Sequence, residues 1–130
     1  MATRERVHVA VLGDAIANAV REYTHEVSVA ITEEVIETAD IVKKDIAAGS
    51  PVRKGRYRRG WRIHKSNVPG STVRTIHNKE YRLVHLLEKG HAKRGGGRVA
   101  AIPHIAPVLD VELPKYEQRL RRIIQTGGKR

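Results

Sequence analysis

An apolar stripe with helical spacing runs through the first part of the chain and constrains its fold more than any other feature. Between residues 14 and 48, apolar side chains recur at steps of three and four: Ile16, Val20, Tyr23, Val27, Ile31, Val35, Ala39, Val42 and Ile46. Asp14 suits the N-cap, and Gly49-Ser50-Pro51 suits the end. Such a helix would be roughly 50 Å long. Because this exceeds the width of a 130-residue domain, we expect it to project, to bend or to pack on another chain.

The polar side of this predicted helix is acidic. Five glutamates lie outside the stripe and are expected to face solvent: Glu22, Glu26, Glu33, Glu34 and Glu37. β-branched residues between Val27 and Ile36 lower the helix propensity, which is compatible with a kink. Residues 1–12 fit either a flexible arm or a first helical turn, since their alternating valines form too short a run to decide.

Two segments in the centre of the chain predict an antiparallel hairpin. Residues 61–66 and 72–77 alternate as strands do. Between them, residues 68–71 (Val-Pro-Gly-Ser) place Pro and Gly at the positions that a type II turn prefers. We expect Trp61, the only Trp, to open the first strand and to anchor the preceding loop to the core.

The next segment predicts a short helix and a basic loop. Leu83, Leu86 and Leu87 fall at i, i+3 and i+4, so residues 78–88 fit a helix with one buried face. Gly90 suits the end of that helix. The three consecutive glycines that follow lie among Lys93, Arg94 and Arg98, a combination that predicts a mobile, positively charged loop.

The last part of the chain predicts an edge segment and a final helix. Residues 99–105 fit a third strand or an extended edge, because Pro103 cannot donate to a strand ladder. Apolar residues from Leu109 to Ile123 repeat at helical spacing. Because Pro114 is tolerated only in a first turn, this helix is predicted over residues 110–125, with a frayed tail at 126–130.

Together these elements predict one α+β domain: a long N-terminal helix (14–48), a region of sheet, short helix and basic loop (61–107), and a C-terminal helix (110–125) packed on the sheet. We expect a small antiparallel sheet of three or four strands.

The chain has no Cys and no Phe, so disulfides are excluded and the core is lean. We expect no membrane segment, because no apolar run approaches the roughly 20 residues that a span requires.

The net charge of +11 is unevenly distributed along the chain. Residues 1–50 carry a net −4, residues 53–98 a net +12 and residues 99–130 a net +3. The basic centre includes five cations in one loop: Arg53, Lys54, Arg56, Arg58 and Arg59. Such a centre indicates a polyanion, nucleic acid most commonly. It fits equally a solvated face, or a face that pairs with the acidic helix of a neighbouring copy.

The motifs of common enzymes are missing, and we expect neither catalysis nor a cofactor. His85, His91 and His104 with Glu88 would supply the donor types of a zinc site, but their spacing matches no standard pattern. We therefore expect no metal, a half-buried and hydrogen-bonded His85, and two histidines that hold the loop ends. Glu88, among cations, is expected to form an ion pair that holds the loop or contacts a neighbour, rather than to act in acid–base chemistry.

Several motifs in a fixed order resemble those of one family. HLLEKGH at 85–91, a Gly/Arg-rich loop and PHIAP at 103–107 precede the final helix, while Ser50-Pro51, Gly55 and Trp61 follow the long one. This order resembles the small tail-completion, or head-tail joining, proteins in the neck of tailed phages. The resemblance spans most of the chain, roughly residues 10–125.

The chain departs from the family pattern at Arg53-Lys54, which precede Gly55 where a small or acidic residue and then Thr are frequent. This makes the loop more basic and leaves its contacts open. The resemblance implies a virion structural protein that forms a ring, of six copies, at the neck or the head-proximal end of the tail. Its partners would be further copies, other neck and tail proteins, and DNA passing through the lumen without sequence recognition.

Two other functions fit the composition less well. A small, basic nucleic-acid-binding protein would explain the pI of about 10.4, but the longest predicted helix is acidic and no recognition helix is basic. A toxin-like nuclease would need carboxylates in the basic centre, where residues 53–98 contain only Glu80 and Glu88.

Overall fold

The protein has the α+β fold predicted from its sequence. A computed structural model describes residues 2–66 and 69–129, with the backbone alone for residues 2–13. Within this part, the elements follow in the order α1 (Ala2–Gly49), α2 (Arg56–Arg59), β1 (Trp61–Lys65), β2 (Arg74–Asn78), α3 (Tyr81–Lys89), β3 (His91–Ala92), β4 (Arg98–Val99) and α4 (Ala106–Thr126).

Helix α1 is longer than the sequence predicts. It runs unbroken from Ala2 to Gly49, which corresponds to about 70 Å. The N-cap predicted at Asp14 is wrong, because the residues before it include good helix formers and extend the helix. At the other end, the Ser50 hydroxyl donates to the carbonyl of Ile46 at 2.7 Å, which satisfies one of the carbonyls that a helix end leaves free.

The buried face of α1 is confined to its C-terminal part. Ala30, Ala39, Val42 and Ile46 are buried, whereas no residue from 14 to 29 is. The apolar stripe continues along the predicted helix, but only its C-terminal half reaches the core.

Strands β1 and β2 form the predicted antiparallel hairpin. Trp61 lies opposite Asn78, and Ile63 opposite Ile76, so these four side chains share one face. Val68, part of the predicted turn, lies outside the described residues.

The other two strands correct the sequence-based interpretation of the segment after α3. His91 pairs with Val99, and Ala92 with Arg98, so the predicted loop at 90–98 is a small hairpin. The strand predicted at 99–105 ends at Val99. The four strands thus form two separate two-stranded sheets, not one sheet of three or four.

Helix α3 buries a face that matches the predicted one only in part. Val84 and Leu87 pack against the core, while Leu83 is 40% exposed. The helix ends close to Gly90, and the carbonyl of Leu87 accepts a 2.7 Å hydrogen bond from the N–H of Ile102.

Helix α4 begins earlier than predicted and packs on α1, where we expected the sheet. It starts at Ala106, with Pro107 in the first turn and Pro114 inside the helix. The carbonyl that loses its partner at Pro114 belongs to Asp110, an exposed residue, so water can replace the missing donor. Pro114 is therefore tolerated inside α4, and the helix start that was predicted from it at residue 110 is wrong.

A buried polar contact joins α1 and α4. Glu34 is 3% exposed and accepts a hydrogen bond from Arg119 Nε. Arg119 Nη2 also lies 3.2 Å from Thr38 Oγ1. The expectation that Glu34 faces solvent is wrong, because the partner that offsets its burial comes from the other end of the chain.

The main core lies where the C-terminal end of α1 meets the β1–β2 hairpin. Val42, Ile46, Tyr57 and Trp61 form its buried centre. Partly buried apolar residues from four other segments surround it: Ile76, Val84, Leu87, Ile105, Val108 and Leu109. Within the described part of the chain, no helix combines the length and the apolar character that a membrane crossing requires.

Candidate interaction surface

Two exposed groups of cations are the candidate interaction surface. The first, the basic loop, comprises residues 53–59, and its five cations are all exposed: Arg53, Lys54, Arg56, Arg58 and Arg59. The second, the basic hairpin, comprises residues 91–99, and Lys93, Arg94 and Arg98 are exposed on it. The ion pairs formed within residues 14–66 and 69–129 use none of these eight cations.

The basic loop is held to the core by two aromatic side chains. Tyr57 and Trp61 are buried and meet edge to face, with ring centroids 5.6 Å apart. Trp61 Nε1 donates to Ser50 Oγ at 2.8 Å, which fixes the indole to the end of α1. The cations of this loop are consequently held at the protein surface.

One cation of the basic loop is partly used within the chain. Arg58 Nη2 lies 2.8 Å from the carbonyl oxygen of Ala48 and 3.2 Å from that of Ser50. A guanidinium at this position satisfies carbonyls at the C-terminal end of α1 and complements the helix dipole. Arg58 therefore has a structural role that the sequence analysis missed.

A buried histidine connects the basic loop to the start of α4. His104 Nε2 lies 2.6 Å from the Tyr57 hydroxyl. On the other side of the ring, Nδ1 lies 2.8 Å from the carbonyl oxygen of Ile102 and 3.0 Å from Glu88 Oε2. With its proton on Nδ1, the ring donates to these oxygens and accepts the Tyr57 O–H.

Glu88 caps α4 from the end of α3. Its carboxylate accepts hydrogen bonds from the backbone N–H groups of His104 (2.8 Å), Ile105 (3.1 Å) and Ala106 (2.9 Å). Burial by itself would raise the pKa of the Glu88 carboxyl, but the three N–H donors and His104 outweigh it and hold the pKa below its usual value. Glu88 thus ties α3 to α4, and it contacts His104 rather than the nearby cations.

Tyr57, His104 and Glu88 are linked side by side as in a proton relay, but Tyr57 does not release its proton. Burial, and to a lesser degree the charge of Glu88, raises the pKa of Tyr57 to about 12. The phenol therefore keeps its proton at neutral pH. The arrangement suits a scaffold that holds the basic loop in place.

Asn78 is a second support that the sequence analysis missed. It is almost fully buried; its amide donates to the carbonyl of Tyr57 at 2.8 Å, and its Oδ1 accepts from the N–H of Glu80 at 2.8 Å. An Asn directly after the predicted strand, where the chain must turn, is the only sequence signal for this role.

The remaining predicted residues lie in different environments. His85 is exposed on α3, so the expectation that it is half-buried is wrong. Its position follows from Val84 and Leu87, which turn the opposite side of α3 to the core. His91 is partly buried in the basic hairpin, and Pro103 is exposed.

Gly90 allows two segments to approach closely. Its φ is +72°, and a Cβ there would lie 2.5 Å from the carbonyl oxygen of Val99. Any other residue would therefore be strained and would clash with the backbone beside β4. Across residues 14–66 and 69–129, whose side chains the structure describes, no three His, Cys, Asp or Glu side chains converge as a metal site requires.

A cleft of about 510 Å³ opens between the basic loop and α3. Val52, Leu83 and Leu87 contribute apolar surface, and Arg53, Lys54, Arg56 and Glu80 also line it. The surface is thus not uniformly polar: an apolar cleft lies among its cations.

The comparison with protein families identifies the class of this protein. A family model described as "Bacteriophage HK97-gp10, putative tail-component" matches residues 14–90, more than half of the chain. The chain therefore belongs to the HK97-gp10-like family of phage tail components, and the family resemblance inferred from its sequence is confirmed. The match includes the basic loop, the β1–β2 hairpin and α3. No curated protein and no solved structure matches the chain.

Proposed function

We propose that this tail component is a structural protein of the phage neck or head-proximal tail, which assembles as a ring through which DNA passes. The ring of six copies implied by the sequence resemblance is part of the proposal. The basic loop and the basic hairpin would contact the DNA phosphates or the acidic surface of an adjoining ring. The virion is the corresponding location, and the role is structural rather than catalytic.

The observation that carries this proposal is the density of exposed cations on a fixed scaffold. Residues 53–98 hold fourteen Lys and Arg against two Glu. One of those glutamates, Glu88, is engaged with His104 and the start of α4. Exposed positive charge at this density is unfavourable unless a polyanion or an acidic partner neutralises it.

The shape of the basic elements supports contact with DNA that does not depend on sequence. Helix α2 is four residues long, too short to read a major groove, and the cations of the basic hairpin lie on two-residue strands and the turn between them. Arg and Lys on such elements bind phosphates, which position a duplex without reading its bases. A lumen that DNA must traverse requires this kind of contact.

The test is the mass of the purified protein in solution, by light scattering at two salt concentrations, with and without duplex DNA. We expect either a discrete ring, or a 14.6 kDa monomer that is indifferent to DNA until it meets its neck partners. A monomer that binds DNA tightly at low salt and releases it at high salt would favour the alternative, a basic nucleic-acid-binding protein without sequence specificity.

Incorporation into particles provides the second part of the test. Virions should contain the protein at a fixed copy number, and a phage that lacks it should accumulate unjoined heads and tails. Joined, infectious particles without the protein would overturn the proposal.

A further inference from the structure

The N-terminal part of α1 carries an apolar stripe beyond the reach of α4. Ile16 is 56% exposed and Val20 is 57% exposed. They lie four residues apart, on one face of the helix. The next member of the stripe, Tyr23, is in contact with the end of α4, where its hydroxyl donates to the carbonyl of Ile124 at 2.6 Å. The part of the α1 stripe that α4 covers therefore ends at Tyr23.

Acidic side chains lie on the same helix segment as this uncovered stripe. Glu22 and Glu26 are exposed and lie four residues apart, on the side of the helix turned away from Ile16 and Val20. Residues 14–26 contain three carboxylates and one Arg. The uncovered segment is thus an acidic amphipathic helix.

The cleft beside the basic loop has the complementary character. Its apolar surface comes from Val52, Leu83 and Leu87, and Arg53, Lys54 and Arg56 stand around it, with Glu80 as the carboxylate. Val52 and Leu83 are both exposed, which is unfavourable for apolar side chains grouped in a concave site. Apolar surface edged by cations is the usual receptor for an acidic amphipathic helix.

The two surfaces cannot meet within one copy. The cleft adjoins the C-terminal end of α1 near Pro51, and Val20 lies roughly 40 Å away along the rigid helix. Any contact between them must therefore join two copies.

We propose that the stripe of one copy, centred on Ile16 and Val20, docks into the cleft of the next copy. The inference rests on the proposed ring and names the contact that closes it. Because stripe and cleft are different surfaces, the contact is head-to-tail, and it closes into a ring when the rotation between copies allows. The net negative charge of residues 14–26 then approaches a neighbour that carries Arg53, Lys54 and Arg56, which steers the association.

Cysteine cross-linking tests this contact directly, since the chain has no native Cys. The double variant Val20→Cys/Leu83→Cys should form, under mild oxidation, a ladder of linked species that extends to the copy number of the ring. Either single variant should stay monomeric on a non-reducing gel. Efficient dimers of Val20→Cys alone would show that two stripes pair with each other, and would overturn the proposal.

A matched control uses Val29, which is 46% exposed on the same helix. It lies nine residues after Val20, on the opposite face. The variant Val29→Cys/Leu83→Cys should give no ladder; a ladder equal to that of the Val20 pair would indicate random collision and would also overturn the docking.

A charge substitution separates this inference from the proposed function. Because Val20 is exposed, Val20→Asp should leave the melting temperature unchanged while the ring dissociates to the 14.6 kDa monomer. Suppose that the Val20→Asp protein still assembles into rings or virions and that the cysteine pair gives no ladder. This result would overturn the docking and leave the neck function intact. A ladder from a protein that never enters virions would overturn the neck function and leave the docking intact.

Discussion

Glu88 and His104 are joined by two contacts: Glu88 Oε2 accepts the backbone N–H of His104 at 2.8 Å and lies 3.0 Å from Nδ1 of its ring. The same carboxylate reaches the N–H of Ala106, the first residue of α4. The N-cap residue of α4, Ile105, has no side chain able to cap. A residue of α3 therefore performs the capping that local sequence leaves undone.

We expect Glu88→Gln to destabilise the protein by about 2 kcal/mol, because it removes a charged acceptor from three backbone donors. The measurement is urea unfolding at neutral pH. Glu117→Gln is the matched control: Glu117 pairs with Arg121 on the exposed surface of α4, and its loss should cost no more than about 0.5 kcal/mol. Equal effects of the two substitutions would contradict the capping role.

The same carboxylate predicts how stability depends on pH. The pKa of Glu88 in the folded protein lies below its ordinary value of 4.5. Its contribution is thus complete above the unfolded pKa and is lost as pH falls through the folded pKa. The difference in unfolding free energy between the wild type and Glu88→Gln should be constant at neutral pH and shrink below about pH 4.5. A difference that persists undiminished in stronger acid would exclude this linkage.

Gly60 predicts a second local effect on stability. A Cβ there would lie 2.4 Å from Asn78 Oδ1 and 3.1 Å from the carbonyl oxygen of Arg56. Gly60→Ala should therefore displace the buried Asn78 amide and destabilise the fold by about 1–3 kcal/mol. Gly95→Ala, where nothing lies within 4 Å of the added atom, should be nearly neutral. Thermal unfolding of both variants checks the contrast, and a neutral Gly60→Ala would mean that Asn78 can move at little cost.

Arg119 provides a test of how α1 and α4 are joined. Arg119→Leu removes the guanidinium that donates to the buried Glu34, and we expect a loss of about 3 kcal/mol. Arg121→Ala removes an exposed ion pair on the same helix and should cost no more than about 0.5 kcal/mol. If chemical denaturation gives similar values for the two variants, the buried pair of Glu34 and Arg119 stabilises the α1–α4 contact no more than an exposed ion pair does.

Local periodicity was enough to predict the long helix, the β1–β2 hairpin and the α+β class. It located the stripe of α1 because a helix of that length must bury one face, and it placed Trp61 at the start of β1 because indole rings are costly to expose. These features depend on residues close together in sequence.

Features that depend on distant partners could not be predicted in this way. Glu34 looks like a solvent-facing glutamate until Arg119, from the opposite end of the chain, is placed beside it. Likewise, the start of α4 depends on Glu88, which lies in a different helix. The spacing of Leu83, Leu86 and Leu87 predicted the buried face of α3 only in part. The helix turns Val84 to the core and leaves Leu83 in the cleft.

The basic hairpin allows the interaction surface to be tested apart from the fold. Lys93, Arg94 and Arg98 are exposed and lie on a hairpin closed by its own backbone, where the N–H of Lys93 donates to the carbonyl of Gly97 at 2.9 Å. Replacing all three cations with Ala should therefore change the unfolding free energy by less than about 0.5 kcal/mol. Virion yield should fall at least tenfold, because the hairpin loses the charge that contacts DNA or the adjoining ring.

The control for that variant removes three cations elsewhere. Lys115, Arg121 and Arg122 are exposed on α4, and their replacement with Ala lowers the net charge equally. If both triple variants reduce virion yield to the same extent, total charge matters rather than its position. If the hairpin variant gives normal yields, the basic hairpin has no part in assembly, and the basic loop alone remains to contact the neighbouring ring or the DNA.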